Sequence, residues 1–268
     1  MITKSVQGVE FVCSPDLPTP HGFSTRVGGV SEGIFATLNL GHRRGDEPEW
    51  VRENYHRFCA ATGTDARAIV MSNQVHGKTV RVVTAADRKP DLLAPTRFEA
   101  DGLATDVLGL TLCVFSADCI PVLLFDPVRR AIAAVHAGWR GTAAAIAREA
   151  VEVMGSAFGT DPADLRAAIG PGIGKCCFET DDDVPAAMTA ALGDLAAPLM
   201  TALGGGRWQV DLKEINRAVL TDAGVDARRI DVSEDCTCCQ HDRFWSHRFT
   251  RGERGSQAAV IMLRGAEG

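Results

Sequence analysis

Apolar positions follow a helical spacing in some parts of the chain and a strand-like spacing in others. Residues 47–62 predict a helix, because acidic residues open the segment and apolar residues at helical spacing follow. The apolar stripe consists of Trp50, Val51, Tyr55 and Phe58. Short apolar runs bounded by turn residues lie between segments of this kind. The interleaved patterns predict a protein built from both helices and strands.

Three further helices are predicted in the second half of the chain. The range 141–155 has helical spacing and is expected to stop at its final glycine. Asp161 is followed by a proline, which is typical of an N-cap that opens a short helix. Asp211 and Glu214 have the spacing of a capping box and predict a helix over 212–224.

Five apolar runs predict strands, and two of them are joined by too few residues for a crossover helix. The runs cover residues 79–84, 108–115, 120–125, 131–135 and 258–263. Residues 126–130 therefore form the turn of an antiparallel hairpin. A hairpin among alternating helices and strands predicts an α+β fold with a mixed sheet. Without an internal repeat or a long linker, residues 1–268 are expected to form one domain.

The predicted hairpin places a cysteine and a histidine on one face. With the turn centred on Val128 and Arg129, Cys119 lies opposite Gly138, and His136 is its diagonal neighbour. Diagonal neighbours are about 7–8 Å apart at Cα, close enough for two side chains to meet one metal ion. A register slip of one residue would place them on opposite faces. From the residues alone, a core role and a functional role for this pair stay equally open.

Composition narrows the choice of partners and compartment. The 268 residues carry a net charge of −6, which does not favour a general nucleic-acid binder. No apolar run reaches the roughly 20 residues of a membrane span, and the first residues do not resemble a signal peptide. A cytoplasmic protein is expected, without a membrane, nucleic-acid or obligate protein partner. Its nine cysteines then favour thiols, metal ligands or nucleophiles over disulfides.

Two cysteine clusters outside the hairpin remain ambiguous. Cys236, Cys238 and Cys239 have two histidines close behind them, a pattern that invites a zinc-knuckle interpretation. No second cysteine pair with the spacing of a structural site follows, so closure around an ion needs distant ligands. The pair at 176–177 follows a glycine-rich loop that lacks the pattern of a phosphate-binding loop, which favours a structural turn.

Several stretches of the chain, in order, resemble the YfiH-like family, often described as the multicopper polyphenol oxidase or laccase-domain family. They are HGFSTRVGGVSEG (21–33), TLNLG (37–41), NQVHGKTV (73–80), EADGLATD (99–106), SADCIPVLLFDP (116–127), AVHAGWRGT (134–142), AIGPGIGKCCFE (168–179) and CTCCQHDRFWSHR (236–248). The resemblance implies an α+β sandwich similar to a cysteine-hydrolase toxin domain.

The resemblance also implies a mononuclear catalytic metal site. His76, Cys119 and His136 would bind Zn²⁺, with Cu²⁺ as the alternative, and would leave a fourth position for water or substrate. His76 enters through the resemblance alone. The expected substrate contacts are Arg26, Asn39 and Arg140.

The activities implied by the resemblance concern purine nucleosides. They are phosphorolysis of adenosine, inosine, guanosine and methylthioadenosine, and deamination of adenosine. The expected partners are therefore a small nucleoside and phosphate.

Two other functions stay open. A copper-dependent polyphenol oxidase is the first, but a laccase typically uses several His-x-His pairs, and the seven histidines here form none. The second is a cysteine hydrolase or amidase of peptidoglycan editing, with Cys119 as a thiolate nucleophile. Relatives often read NLG-x-His-Val-Gly-Asp, whereas His42 falls one place early here and arginines follow it.

Overall fold

A computed structural model describes residues 1–264, which form fifteen strands in three sheets. In chain order the strands are β1 (Ile2–Val6), β2 (Val9–Cys13), β3 (His21–Ser24), β4 (Ile69–Met71), β5 (Val80–Val82), β6 (Gly102–Thr105), β7 (Thr111–Ser116), β8 (Ile120–Asp126), β9 (Ala131–Ala137), β10 (Arg166–Ile169), β11 (Glu179–Asp181), β12 (Met200–Gly204), β13 (Arg207–Val210), β14 (Ile230–Val232) and β15 (Gln257–Met262). Each of the five predicted strands is present, with ends shifted by at most three residues.

In the part of the chain that the structure describes, six α-helices connect and cover the sheets. They are α1 (Pro48–Thr62), α2 (Trp139–Ala143), α3 (Ile146–Phe158), α4 (Asp183–Leu192), α5 (Leu212–Asp222) and α6 (His247–Thr250). Helix α1 confirms the helix predicted over 47–62, because it starts with a proline and ends at Gly63, whose φ of 74° closes the last turn. Within residues 1–264 no helix has both the length and the apolar character needed to cross a membrane.

The two large sheets are mixed. The first has the order β1-β2-β3-β15-β7-β4, and the second has the order β14-β10-β8-β9-β6-β5. Only the pairs β4–β7, β5–β6 and β10–β14 are parallel among the neighbours in these two sheets. A small antiparallel sheet has the order β11-β13-β12. The predicted α+β class with a mixed sheet is confirmed.

Alternation of side chains along β8 explains how the layers pack. Leu123 and Phe125 lie in a core that includes Leu112 of the first sheet, so the two large sheets pack face to face. Val122 and Leu124 point to the opposite core, which includes buried residues of α3 and α5. Helix α1 packs against the outer face of the first sheet. All of β8 is buried because both of its faces are covered.

The β8–β9 hairpin has the predicted register. Pro121 pairs with His136, and Asp126 pairs with Ala131 at the turn. The Asp126 carboxylate accepts hydrogen bonds from the backbone N–H groups of residues 128 and 129, at 2.8 and 2.9 Å. Such an Asx-type turn fixes the loop length, and the loop length fixes which side chains share a face.

The helix predicted over 141–155 differs from the observed structure. It starts earlier as α2, breaks at Ala145, whose φ is 55°, and continues as α3. The expected stop at Gly155 was wrong, because an interior glycine costs a helix only about 1 kcal/mol. The helix ends instead at Gly159, whose left-handed φ of 71° completes the C-terminal cap.

Both predicted N-caps are present, although one opens a shorter element than expected. Asp161 accepts a hydrogen bond from the backbone N–H of Ala163, but the segment Pro162–Asp164 is a single 3-10 turn. The Asp211 carboxylate accepts a hydrogen bond from the backbone N–H of Glu214 at 3.1 Å, and α5 follows as predicted.

Candidate metal centre

Two histidines and one cysteine converge at one end of the β8–β9 hairpin. His76 lies in the loop between β4 and β5, Cys119 immediately precedes β8, and His136 lies in β9. One ligand atom from each side chain lies within 4.8 Å of the other two. The imidazole rings are 4.9 Å apart at their centroids and nearly perpendicular. Two imidazoles and a thiolate are a ligand set that suits zinc or copper.

The glycine turn after β9 makes room for this convergence. A Cβ atom at Gly138 would lie 3.1 Å from Cδ2 of His76 and 3.2 Å from Sγ of Cys119. Both distances are tighter than ordinary carbon contacts, so a side chain here would displace the candidate ligands. Gly138 is also the position that the hairpin register places opposite Cys119.

Asp101, just before β6, connects the two histidines. Its Oδ1 accepts hydrogen bonds from Nδ1 of His136 at 2.9 Å and from the backbone N–H of His76 at 3.0 Å. Its Oδ2 accepts from the backbone N–H groups of Val75 and Gly77. Because Nδ1 of His136 is engaged, Nε2 remains for an ion, as in carboxylate–histidine–metal arrangements.

Electrostatic coupling within the centre favours a thiolate. Burial alone would raise the pKa of Cys119, but the neighbouring His136 and His76 lower it from 9.0 to about 6. Burial likewise opposes charge on His136, but the Cys119 thiolate and Asp101 raise its pKa to about 9. Burial also disfavours the charged form of Asp101, yet hydrogen bonds from His136 and nearby backbone N–H groups lower its pKa. A thiolate is the protonation state that binds metal.

The centre opens into a cavity of about 510 Å³. A volume of this size suits a small organic ligand. Aromatic side chains on its walls include Phe115, Trp139 and Phe178. The three candidate ligands line the same cavity, so an ion held by them would be reachable from it.

Arginines on the cavity wall were missed by the sequence analysis. Arg44, Arg248 and Arg254 all line the cavity. Burial, then the nearby charge of Arg44, lowers the pKa of Arg254 to about 10, which leaves it cationic at neutral pH. Its Nε is buried and has no hydrogen-bond partner among residues 1–264. The same guanidinium donates hydrogen bonds from Nη1 to the carbonyl of Gly255 and to the hydroxyl of Ser256, which hold its positive charge at the cavity wall.

The residues expected from the sequence to contact substrate lie outside the cavity lining. The Arg26 guanidinium donates hydrogen bonds to the backbone carbonyls of Ala36 and His241. Asn39 is fully buried. Its side-chain oxygen accepts hydrogen bonds from the backbone N–H groups of Gly41 and Ser256. Arg140 is exposed and lies over the Trp139 ring. Substrate contact by these three residues stays a prediction.

His42, the residue that departs from the family pattern, lies on the cavity wall. Burial, followed by the charges of Lys89 and Arg43, lowers its pKa to about 4. Its ring therefore stays neutral at physiological pH and packs 5.6 Å from the Phe115 ring. Nothing in this position brings His42 into the ligand set of His76, Cys119 and His136.

Asp118, next to Cys119, is a second residue that sequence reasoning missed. Its φ is 84°, and its carboxylate accepts hydrogen bonds from the hydroxyls of Thr237 and Ser246. The backbone N–H of Arg248 donates a third hydrogen bond to it, at 2.6 Å. The position of Cys119 is therefore coupled to the chain segment between β14 and β15.

Known proteins share both the sequence and the fold of this chain. The family model described as multi-copper polyphenol oxidoreductase laccase matches residues 20–264. A purine nucleoside phosphorylase from Deinococcus radiodurans is 40% identical over 262 residues, which cover 97% of this chain and 96% of that protein. The adenosine deaminase RL5 from an unknown prokaryotic organism is 34% identical over 248 residues, covering 91% of this chain and 90% of that protein.

A solved structure gives the same result for the fold. The crystal structure of the hypothetical protein YfiH from Bacillus licheniformis matches with a TM-score of 0.92 at 34% identity. The match covers 98% of this chain and 99% of that chain. The resemblance noted from the motifs is thus confirmed: the chain belongs to the laccase-domain, YfiH-like family.

Proposed function

We propose that this chain is a zinc-dependent purine nucleoside enzyme. It would carry out phosphorolysis of adenosine, inosine, guanosine and methylthioadenosine, and deamination of adenosine. The observation that carries the proposal is the cavity, which joins an open three-ligand centre to aromatic walls and to the positive charge of Arg254. The relatives named as a purine nucleoside phosphorylase and an adenosine deaminase support this substrate class.

His76, Cys119 and His136 would hold the zinc ion. Three protein ligands leave one position open, which is typical of catalytic rather than structural zinc. When bound, zinc supplies Lewis acidity that favours deprotonation of water and orientation of a phosphate oxygen. Asp101 keeps His136 in the required orientation through Nδ1, and it fixes the loop of His76 through the backbone.

The cavity walls offer separate contacts for the base and for phosphate. A purine is flat and aromatic, so Phe115, Trp139 and Phe178 provide suitable packing surfaces. Phosphate is an anion, and Arg44 and Arg254 present guanidinium groups to the same space. The structure thus favours these two arginines over Arg140 as phosphate contacts.

One cavity suits both reactions because each of them forms a carbon–oxygen bond and breaks a carbon–nitrogen bond. In phosphorolysis, a phosphate oxygen bonds to C1′ of the sugar while the bond from C1′ to the purine nitrogen breaks. In deamination, a water oxygen bonds to C6 of adenine while the bond from C6 to the amino nitrogen breaks. Each reaction brings an oxygen nucleophile to a carbon and expels nitrogen, and the leaving nitrogen takes up a proton that the phosphate or the water gives up.

Chromatography of nucleoside products tests the proposal. Zinc-loaded protein should release hypoxanthine from inosine only when phosphate is present, and it should convert adenosine to inosine without phosphate. Failure to form either product, together with rapid phenol oxidation by the protein as purified, would replace the proposal with the polyphenol oxidase alternative.

Arginine variants separate the two reactions. Arg254→Gln removes charged hydrogen bonds to phosphate, so the KM for phosphate should rise about 10- to 100-fold while adenosine deamination changes little. Arg140→Gln tests the contact expected from sequence, and Arg148→Gln, which breaks an exposed ion pair with Asp222, is the matched control. If the KM for phosphate rises in Arg140→Gln but not in Arg254→Gln, Arg140 rather than Arg254 contacts phosphate.

A cysteine hydrolase is the second candidate. Cys119 interacts with His136, and His136 is hydrogen-bonded to Asp101, as a cysteine nucleophile, its base and the residue that orients the base would be. Such an enzyme works without metal. Amide hydrolysis that survives complete chelation, with no nucleoside turnover by the zinc form, would favour it. The oxidase alternative is less well supported, because a laccase typically needs several pairs of histidines. The groups that could hold an ion in residues 1–264 contain only two histidines.

A further inference from the structure

Four cysteines outside the cavity converge from two distant segments of the chain. Cys176 and Cys177 follow β10, and Cys236 and Cys239 follow β14 about sixty residues later. All four sulfur atoms lie within 4.8 Å of one another. The distance from the Cys239 sulfur is 3.5 Å to that of Cys176 and 3.3 Å to that of Cys177. The distant ligands that a zinc knuckle would need are therefore present.

We propose that Cys176, Cys177, Cys236 and Cys239 form a second metal site, a closed tetrathiolate site for one zinc ion. Zinc–sulfur bonds of about 2.3 Å place tetrahedral sulfurs about 3.8 Å apart, close to the spacing found here. An iron–sulfur cluster divides its thiolates between several iron atoms, which requires some sulfurs to lie farther apart. Four protein donors complete the coordination of zinc, so this site is structural.

The backbone at Gly174 supports a thiolate at one of the four sulfurs and allows the loops to approach closely. The backbone N–H of Gly174 donates a hydrogen bond to the Cys236 sulfur at 3.1 Å. A Cβ atom at Gly174 would lie 3.1 Å from the Cys236 Cβ and 3.2 Å from the Cys176 sulfur. Glycine is thus needed for close approach here, as Gly138 is at the other centre.

A disulfide explains this arrangement less well. Cys239 contacts both members of the adjacent pair, and a disulfide could use only one of them. Both contacts are longer than the about 2.05 Å of a disulfide bond. Pairing two of the thiols would also leave the other two close together without a role.

The proposed site would stabilise the segments that position Cys119. Thr237, inside the Cys236–Cys239 loop, donates a hydrogen bond from its hydroxyl to Asp118 at 2.6 Å. Its backbone N–H donates to the carbonyl of Gly172, in the loop that carries the other two cysteines. The Arg248 guanidinium, which lines the cavity, donates to the carbonyl of Cys177. Zinc at the four thiols would hold both loops in this arrangement.

Metal analysis of the protein purified without added metal tests the site. The unaltered chain should carry two zinc ions, and His76→Ala combined with His136→Ala should retain one. Cys176→Ser combined with Cys239→Ser should lose the second ion, whereas Cys238→Ser, in the same loop but outside the four, should retain both. Retention of two ions by the Cys176/Cys239 variant would overturn the proposal, whatever the activity at the other centre.

A measurement on the folded double-histidine variant avoids dependence on cysteine variants that fail to fold. Cobalt exchanged into this variant should give the intense visible absorption of a tetrahedral tetrathiolate. Alkylation followed by mass spectrometry should show the four thiols protected until a chelator is added, with no need for a reductant. Protection that yields to a reductant but not to a chelator would establish a disulfide and overturn the proposal.

Discussion

Asp118 precedes Cys119 of the three-ligand centre and accepts a hydrogen bond from Thr237, which lies in the loop of the four-cysteine cluster. The two groups of candidate ligands differ in donors and surroundings. The first has three donors of two kinds at the floor of a cavity. The second has four thiols, two of them on exposed residues, outside the cavity lining. Donor number and access therefore separate a centre suited to chemistry from one suited to holding loops together.

Removing a donor from each centre should give the largest difference. Cys119→Ala should reduce nucleoside turnover by about 100-fold or more, because the group that activates the nucleophile is lost. Cys239→Ser should retain part of the activity, since Asp118 keeps its hydrogen bonds to the segment after β14. Product formation by both purified variants measures this. Equal losses of turnover in the two variants would contradict the assignment of a catalytic role to one centre and a structural role to the other.

The carboxylate behind the open centre should have the next largest effect. Asp101→Asn replaces an acceptor oxygen by a donor and disturbs the support of both histidines, so zinc affinity should fall about 10- to 100-fold. Asp126→Asn is the matched control, because Asp126 is also buried and accepts two backbone hydrogen bonds, at the far end of the hairpin. Chelator competition measures both affinities. Unchanged affinity in Asp101→Asn would contradict the positioning role.

The electrostatics of the open centre can be tested after the metal is removed. A thiolate forms above its pKa, so alkylation of Cys119 should rise with pH around a midpoint of about 6, far below the ordinary 9.0. Burial raises the pKa of Cys59 to about 12, and that residue should stay unreactive over the same range. Quantitative mass spectrometry follows both sites. A Cys119 midpoint near 9 would show that His136 does not stabilise the thiolate.

A substitution outside both groups of candidate ligands should have the smallest effect. The Tyr55 hydroxyl donates a hydrogen bond to the carbonyl of Leu40 at 2.8 Å within a fully buried site. Tyr55→Phe should lower the free energy of unfolding by about 1 kcal/mol and leave the metal content unchanged. Denaturant titration and metal analysis measure the two quantities. Loss of zinc in this variant would mean that metal content reports general stability.

The contrast between the two centres also shows what a sequence can predict. The hairpin register followed from the short loop at 127–130, and it correctly placed His136 beside Cys119. Local signals of this kind lie within a few residues of each other. The meeting of Cys177 with Cys239 depends on the pairing of β10 and β14 across about sixty residues, and no local pattern encodes that pairing.

The same limit applies to the cavity. Arg254 reaches it because β15 is inserted in the first sheet, and the sequence around Arg254 contains no sign of that insertion. Arg26 and Arg140 were expected to contact substrate or phosphate because they lie in glycine-rich segments, and neither of them lines the cavity. Proximity in sequence to a motif does not determine which way an arginine points. The break between α2 and α3 was missed because it occurs at Ala145, and alanine is a strong helix former that seldom adopts the left-handed conformation found there.

The position of β15 has a consequence for biosynthesis. Among the fifteen strands of residues 1–264 this one comes last in sequence, yet it lies between β3 and β7 in the first sheet. The ribosome therefore releases every candidate metal ligand before the strand that joins the two halves of that sheet. Such late, long-range pairing is slow and leaves strand edges exposed in the meantime. In the nascent chain, the metal-binding side chains would therefore be accessible to metal ions well before the cavity around them had folded.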